Sequence, residues 1–386
     1  MAQPGDYDVI IIGAGLFGAA TGFHLARQGQ SVLMLERDHI GAQSSGANYG
    51  SLRLQGRIDT QYPLSLRAQH LWETFEATFG EPCEYDRTGH VYFARDDAGR
   101  AKVEAYAEAS RSVGMQIEML EGAALRQRLP FLTENATVAS FSPQCATANP
   151  RLATPAICRA FERAGGHVRT QCAVIELWKE GQLFHVRTSS GLHLTASKLV
   201  NAAGAWAGSI AAQFGEAVPL FAAGPPQFVT EPLPYILRPV LQSIEGDVIL
   251  RQIPRGNFIF AGYPRTRANP DGAFTFVPPR KLAKCMRALV EAVPALSGVE
   301  VIRNWSGVEG YLPDMLPIVG ASQTTDNLFH AFGASGGGFQ IGLAVGESLA
   351  AQVAGASLIC DLSTYRIDRF AAGLVESDKI AKEFDN

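Results

Sequence analysis

Asp8-Val-Ile-Ile-Ile-Gly13-Ala-Gly15-Leu-Phe-Gly18, an apolar run to Gly29 and Ser31-Val-Leu-Met-Leu-Glu36 decide the fold. The unbroken aliphatic run before Gly13 reads as a strand buried on both faces, as in a parallel sheet. Gly29 is placed to end the helix that follows, and Ser31 to Glu36 returns as a second strand. In this βαβ unit Gly13 permits the tight turn, Gly15 lets backbone approach a pyrophosphate, and Gly18 lets helix and strand pack closely. The helix N-terminus is then free to receive phosphates. Glu36 lies about twenty residues beyond Gly13, where an acidic side chain accepts hydrogen bonds from an adenosine ribose. Glutamate rather than arginine at that position disfavours NADP.

The composition of the whole 386-residue chain is that of a compact globular protein: 47% of residues are hydrophobic and 18% charged, below the charged fraction of an average soluble chain. Lys and Arg total 33 against 37 Asp and Glu, a net charge of −4. With no basic block, nucleic acid is excluded as an expected partner. Val9 to Ala26 carries no formal charge, but the three glycines in its middle, Gly13, Gly15 and Gly18, and its strand-like start fit a buried strand and helix, so no membrane span is expected. Cys83, Cys145, Cys158, Cys172, Cys285 and Cys360 are too scattered for a zinc or iron–sulfur site. A reduced, cytoplasmic setting and no bound metal are expected.

Outward from the first unit the texture changes. His90-Val-Tyr-Phe-Ala-Arg95 alternates, and Val168 to Ala203 reads as a meander of Val168–Trp178, Leu183–Thr188 and Leu192–Asn201. Val248–Gln252 and Asn257–Tyr263 flank Pro254-Arg255-Gly256, a hairpin signal. Leu328 to Phe332, the loop Gly333-Ala-Ser-Gly-Gly-Gly338 and Phe339 to Ala354 read as strand, glycine loop and helix. Ala371 to Asn386 reads as a solvated helical tail.

Three separated blocks resemble the FAD-dependent amine and amino-acid oxidoreductases that include D-amino-acid, glycine and sarcosine oxidases. They are Asp8 to Glu36, Leu199-Val-Asn-Ala-Ala-Gly204-Ala-Trp206, and Pro313-Asp314 with Pro317-Ile-Val-Gly320 and Gly333 to Gln340. Ser44-Ser-Gly-Ala-Asn-Tyr-Gly-Ser-Leu-Arg-Leu-Gln-Gly-Arg57 is similar to the β-type subunits of opine oxidases and hydrogen cyanide synthase. The resemblance implies an α/β plus α+β architecture: a Rossmann-type FAD-binding domain from residues 1–80, 141–215 and 303–386, with an antiparallel-sheet substrate domain from 81–140 and 216–302. It also implies FAD as cofactor and oxidation of a C–N bond of an opine, N-alkyl or D-amino acid to an imine by hydride transfer to flavin N5. Partners would be a small amine or amino-acid substrate and other redox subunits in a hetero-oligomer, or further copies in a homo-oligomer.

The same likeness implies the site. Gly13, Gly15, Leu16, Phe17, Gly18, Glu36, Arg37, Ser44, Ser45, Asn48, Tyr49, Gly50, Val174, Ala203, Gly204 and Trp206 would hold FAD. Gly336, Gly337, Gly338, Phe339 and Gln340, opening the last helix, would face the flavin, whose ring gains negative charge on reduction. Arg53 falls on the arginine that binds the substrate carboxylate in sarcosine oxidases, a role suited to a guanidinium fork. Arg303 would hold a second carboxylate or line the substrate-domain seam, and Tyr263 is a further candidate for holding substrate. Arg57, Arg251 and Arg265 are added cations; convergence of two of them would point to a substrate with two carboxylates, as an opine has. Sarcosine oxidases carry a lysine where this chain has Gln340, which speaks against sarcosine itself. Their flavin-linking cysteine aligns near Gly307, and no cysteine lies between Cys285 and Cys360, so non-covalent FAD is expected. The chain shows no Ser/His/Asp or paired-carboxylate constellation. A 2-hydroxy-acid dehydrogenase that oxidises C–O, or a non-enzymatic flavin protein, are the alternatives.

Overall fold

The computed structural model describes residues 6–262, 264–268, 277–373, 377, 380 and 384. Tyr7–Ile12 forms the strand expected from the aliphatic run, and Val9, Ile10 and Ile11 have no solvent exposure. It pairs in parallel with Val32–Leu35 on one side and His193–Asn201 on the other. His167–Arg169 extends the sheet beyond Val32–Leu35, and Leu328–Phe332 adds in parallel to the second half of His193–Asn201. An antiparallel flap of Leu183–Thr188 and Val174–Glu180 hangs from the first half of that strand.

The expected single strand Val168–Trp178 is therefore two strands. His167–Arg169 runs parallel to Val32–Leu35, the chain turns at Gln171 (φ 52°), and Val174–Glu180 leaves in the flap. The turn is held by Gln171 N–H donating to Asp38 O and Cys172 N–H to Glu36 O, partners far along the chain that the strand-like texture does not register.

Helix Leu16–Arg27 crosses helix Gly338–Val353 at close range. A Cβ on Gly342 would lie 2.4 Å from Leu16 Cδ2, and one on Gly346 2.3 Å from Ala20 Cβ. The small residues on one side of the last helix thus let it approach the first and bring both N-termini to one region.

The second large sheet runs Val301–Trp305, Gln227–Pro232, Asn257–Ala261, Ile249–Gln252, Val240–Ser243, His90–Ala94, Val138–Ser142, Glu118–Glu121. The hairpin is present, with Gly256 at φ 92°. Side chains alternate across this sheet. Leu250, Phe258, Phe260 and Phe228 bury into its own core, while Gln227, Ala261, Ile249 and Gln242, in register across four strands, face the other way. The tail lies largely outside the described residues, but Ile380 and Phe384 are buried, not solvated. Phe384 packs edge-on against Tyr311 at 4.7 Å and Phe221 at 5.1 Å.

Candidate active site

A cavity of about 910 Å³ opens between the outward row of the second sheet and the C-terminal ends of the parallel strands. Such crevices are where open α/β sheets bind ligands.

At one end the first helix begins. Gly13 has φ 106°, and a Cβ there would sit 2.5 Å from Ala202 O. Gly15, Leu16 and Phe17 line the cavity. Gly18 does not; a Cβ on it would fall 2.1 Å from Gly13 O, so its part is to let helix and turn close together. Ser45, beside Ser44 in the short helix Ser44–Ala47, accepts the Leu16 N–H at 2.8 Å. Glu36 accepts Ala14 N–H and Asp38 N–H, each at 2.9 Å, which fixes its carboxylate at the strand end. Arg37 stacks over Trp206 at 3.6 Å, and Val174, Ala203 and Gly204 complete this end. Asn48 closes its own loop: its amide donates to Ser44 O and Ser45 O and accepts Gly50 N–H.

At the other end Gly336 (φ 76°), Gly337 and Gly338 lead into the last helix, with Phe339 and Gln340 in its first turn. Neither this helix nor the first has an acidic residue in its first turn. A Cβ on Gly336 would lie 3.1 Å from Arg265 Nη2, and one on Gly337 2.9 Å from Arg57 Nη1. Two guanidinium ends therefore reach neighbouring glycines of one loop. Arg57 donates through Nε and Nη2 to Arg53 O at 3.2 and 3.0 Å, and its Nη1 has no acceptor among the described residues. Burial, with the Arg53 charge adding to it, pushes the Arg57 guanidinium down to about 9.

Arg53 also lines the cavity, but its Nη1 donates to Gln55 O and to Gly56 O, tying the loop to itself. Gln340 turns its amide nitrogen to Ser65 O at 2.8 Å.

Arg303 is a correction. It is exposed on Val301–Trp305, the strand that ends the second sheet, and lies outside the cavity near Arg151. Trp305, at the end of that strand, is half-buried and donates to Ala47 O at 2.9 Å. Tyr263 lies outside the described residues. Arg251 is buried behind Tyr49 and Gly50 rather than in the cavity wall.

Sequence reasoning missed Glu309 and Gln242. Glu309 lines the cavity and accepts the Tyr311 hydroxyl proton; burial raises its carboxyl above the usual range, against the pull of Arg265 and of that hydrogen bond. Its signal was the alternation Glu309-Gly310-Tyr311, which puts acid and phenol on one face. Among the described residues this end carries the guanidinium groups of Arg53, Arg57 and Arg265 against the one carboxylate of Glu309.

Residues 8–352 match the family described as FAD dependent oxidoreductase. The chain belongs to that family. Among its relatives, this oxidoreductase is 28% identical to sarcosine oxidase subunit beta of Rhizobium meliloti, over 97% of this chain and 90% of that one. Glycine oxidase from Geobacillus kaustophilus superposes with a TM-score of 0.88 at 22% identity, covering 94% of this chain and 98% of its own. Iminodiacetate oxidase from Chelativorans sp. superposes with a TM-score of 0.80 at 23% identity, covering 93% and 98%.

The residues fit FAD. Two helix N-termini without acidic residues face one cavity, its turn glycines leave no room for a Cβ, and Tyr49 Oη, Ser51 Oγ and Gln227 Oε1 are buried in its wall without partners. Unpaired buried polar atoms of this kind call for a ligand. Among the described residues no helix is long and apolar enough to cross a membrane, and no cluster of His, Cys, Asp and Glu is arranged for a metal ion.

Proposed function

We propose that this FAD-dependent oxidoreductase oxidises the C–N bond of a secondary-amine amino acid bearing two carboxylates, the class to which opines belong. The observation that carries this reading is the convergence of Arg57 and Arg265 on Gly336 and Gly337. FAD, when bound, supplies the hydride acceptor, and the imine product hydrolyses.

The protein's part is to bind, orient and exclude water. Gly13, Gly15, Glu36, Arg37 and Trp206 would hold the nucleotide half, and Tyr49, Ser51 and the amides opening the last helix would hold the flavin. Arg57 would take one carboxylate on its open Nη1, with Arg265 contributing the second charge. Arg53 would keep the 53–57 loop in shape and add to the positive field. Glu309, held by Tyr311, offers the substrate nitrogen a negative pole. The antiparallel sheet would form a substrate domain, with the FAD domain built from the segments around it.

FAD would be held without a covalent bond. A side chain at Gly307, where a linking cysteine aligns, would meet Ala47 Cβ at 2.6 Å. All six cysteines are buried and unpaired, in keeping with a cytoplasmic setting. The match to a β subunit supports assembly with other redox subunits. Dye-coupled turnover much faster than turnover with oxygen would support that assembly; equal rates would oppose it.

The test is anaerobic bleaching of the bound flavin by octopine, nopaline, iminodiacetate, sarcosine, L- and D-proline, glycine, D-alanine and 2-hydroxyglutarate. Fastest bleaching by the dicarboxylic amines is expected. Bleaching by glycine or sarcosine alone would overturn the two-carboxylate reading, and bleaching by the hydroxy acid alone would overturn C–N oxidation.

A further inference from the structure

We propose that Gln242 is a substrate-binding residue whose amide N–H groups hold the second carboxylate, and that a buried chain of Ser140, Gln55 and His90 fixes which way that amide faces. The proposal rests on the dicarboxylic reading above.

Gln55 is fully buried, and one end of its amide lies 2.9 Å from His90 O. A carbonyl oxygen only accepts, so that end is the nitrogen, Nε2. The other end, Oε1, accepts the Ser140 hydroxyl at 3.1 Å. Gln55 Nε2 also lies 2.8 Å from His90 Nδ1. Since an amide nitrogen is a donor, Nδ1 must accept and carry no proton. The ring proton therefore sits on Nε2. Burial and then the charge of Arg53, with Arg57 adding to it, hold His90 well below the ordinary histidine range, which keeps the ring neutral.

His90 Nε2 faces Gln242 Oε1 at 3.3 Å and donates to it. With its oxygen pinned to His90, Gln242 turns Nε2 the other way. That nitrogen has no acceptor among the described residues, and Gln242 lines the cavity beside Ile249. The group offered to a ligand is thus a donor of hydrogen bonds, without charge and without a free lone pair. It suits a carboxylate oxygen and rejects an ammonium. Because Arg53 and Arg57 both act on His90, the relay stands next to the arginine pair rather than at the nucleotide end. Gln242 is the substrate-binding group; His90 and Gln55 are positioning residues that act through it.

The experiment uses the FAD-loaded enzyme and two probes, butyrate and glutarate, which differ by one carboxylate. Kd is read from the perturbation of flavin absorbance and checked by calorimetry, after FAD content is confirmed for each variant. Wild type is expected to prefer glutarate. Q242E keeps an oxygen for His90 but turns a second oxygen to the cavity, and should weaken glutarate by about tenfold or more, the scale of one charge-assisted hydrogen bond, with butyrate little changed. H90F frees the Gln242 amide to rotate and should give an intermediate loss. The His90 Nε2–H tautomer is read separately from ring ¹⁵N shifts, as the signal missing in H90F. Equal wild-type affinity for the two probes would overturn the dicarboxylic reading and this proposal together. A glutarate preference that survives Q242E, or a His90 ring protonated at Nδ1, would overturn the Gln242 assignment alone.

Discussion

Replacing Arg57 with Gln separates binding from stability in a way that few surface or core substitutions do. Without an anion, Arg57 stands half-buried beside Arg53, and that setting lowers its guanidinium to about 9. A displacement of that size is electrostatic strain on the order of a few kcal/mol. Against it stand two hydrogen bonds from Nε and Nη2 to Arg53 O, each worth about 1 kcal/mol net. The two effects oppose each other, so Arg57→Gln should leave Tm within a few degrees of wild type or raise it. Ligand affinity should behave differently. A charge-assisted hydrogen bond to a carboxylate contributes roughly 1.5–3 kcal/mol, which is about a 10- to 150-fold weaker Kd. The assay is titration of the holoenzyme with butyrate, followed by flavin absorbance, alongside thermal unfolding. Arg53→Gln is the contrast: it strips donors from the carbonyls of Gln55 and Gly56, so its Tm should fall while butyrate affinity falls less. If the affinity loss follows Arg53 and Arg57→Gln binds butyrate within about threefold of wild type, the reasoning is wrong.

Further tests address other parts of the site. Gly18→Ala would set a methyl 2.1 Å from a backbone oxygen, whereas Gly15→Ala would meet only Ser45 Oγ at 3.1 Å. Both should lose flavin, as read from the 450/280 nm absorbance ratio, since a methyl at Gly15 stands where the pyrophosphate approaches, but only the first should also lower the Tm of the apoprotein; equal apoprotein Tm would contradict the packing role of Gly18. Glu309 loses its charge as pH falls through its raised carboxyl value, which leaves Arg265 less compensated, so butyrate should bind more tightly toward low pH. Glu309→Gln should flatten that dependence, and an unchanged profile in the variant would remove Glu309 from the site. FAD should appear in the supernatant after acid or denaturant precipitation, and flavin retained on the pellet would refute non-covalent attachment.

The first βαβ unit was legible because its physics is local: glycines where a Cβ meets backbone, an aliphatic run that needs two covered faces, an acid at a strand end. The same locality explains what was misjudged. Arg303 sits in a recognisable strand, but its exposure follows from that strand closing the second sheet, a fact of topology. Arg57 reads as one charge among many until the 53–57 loop curls and carries it to Gly337. Gln242 acquires its meaning through His90, 152 residues away in sequence. The turn at Gln171 and the burial of Phe384 also depend on partners far along the chain, which periodicity does not register.

The interleaving of the parallel sheet has a consequence for how the protein is made. Tyr7–Ile12 leaves the ribosome well before one of its neighbours, His193–Asn201, which in turn waits for Leu328–Phe332. For most of synthesis the nascent chain carries an aliphatic strand with an uncovered edge, a state prone to association with other chains. Helix Gly338–Val353, which packs on Leu16–Arg27, arrives later still and follows the glycines that frame the flavin end. Cofactor capture is thereby tied to the last stage of folding, and flavin supply during expression should govern yield as much as occupancy.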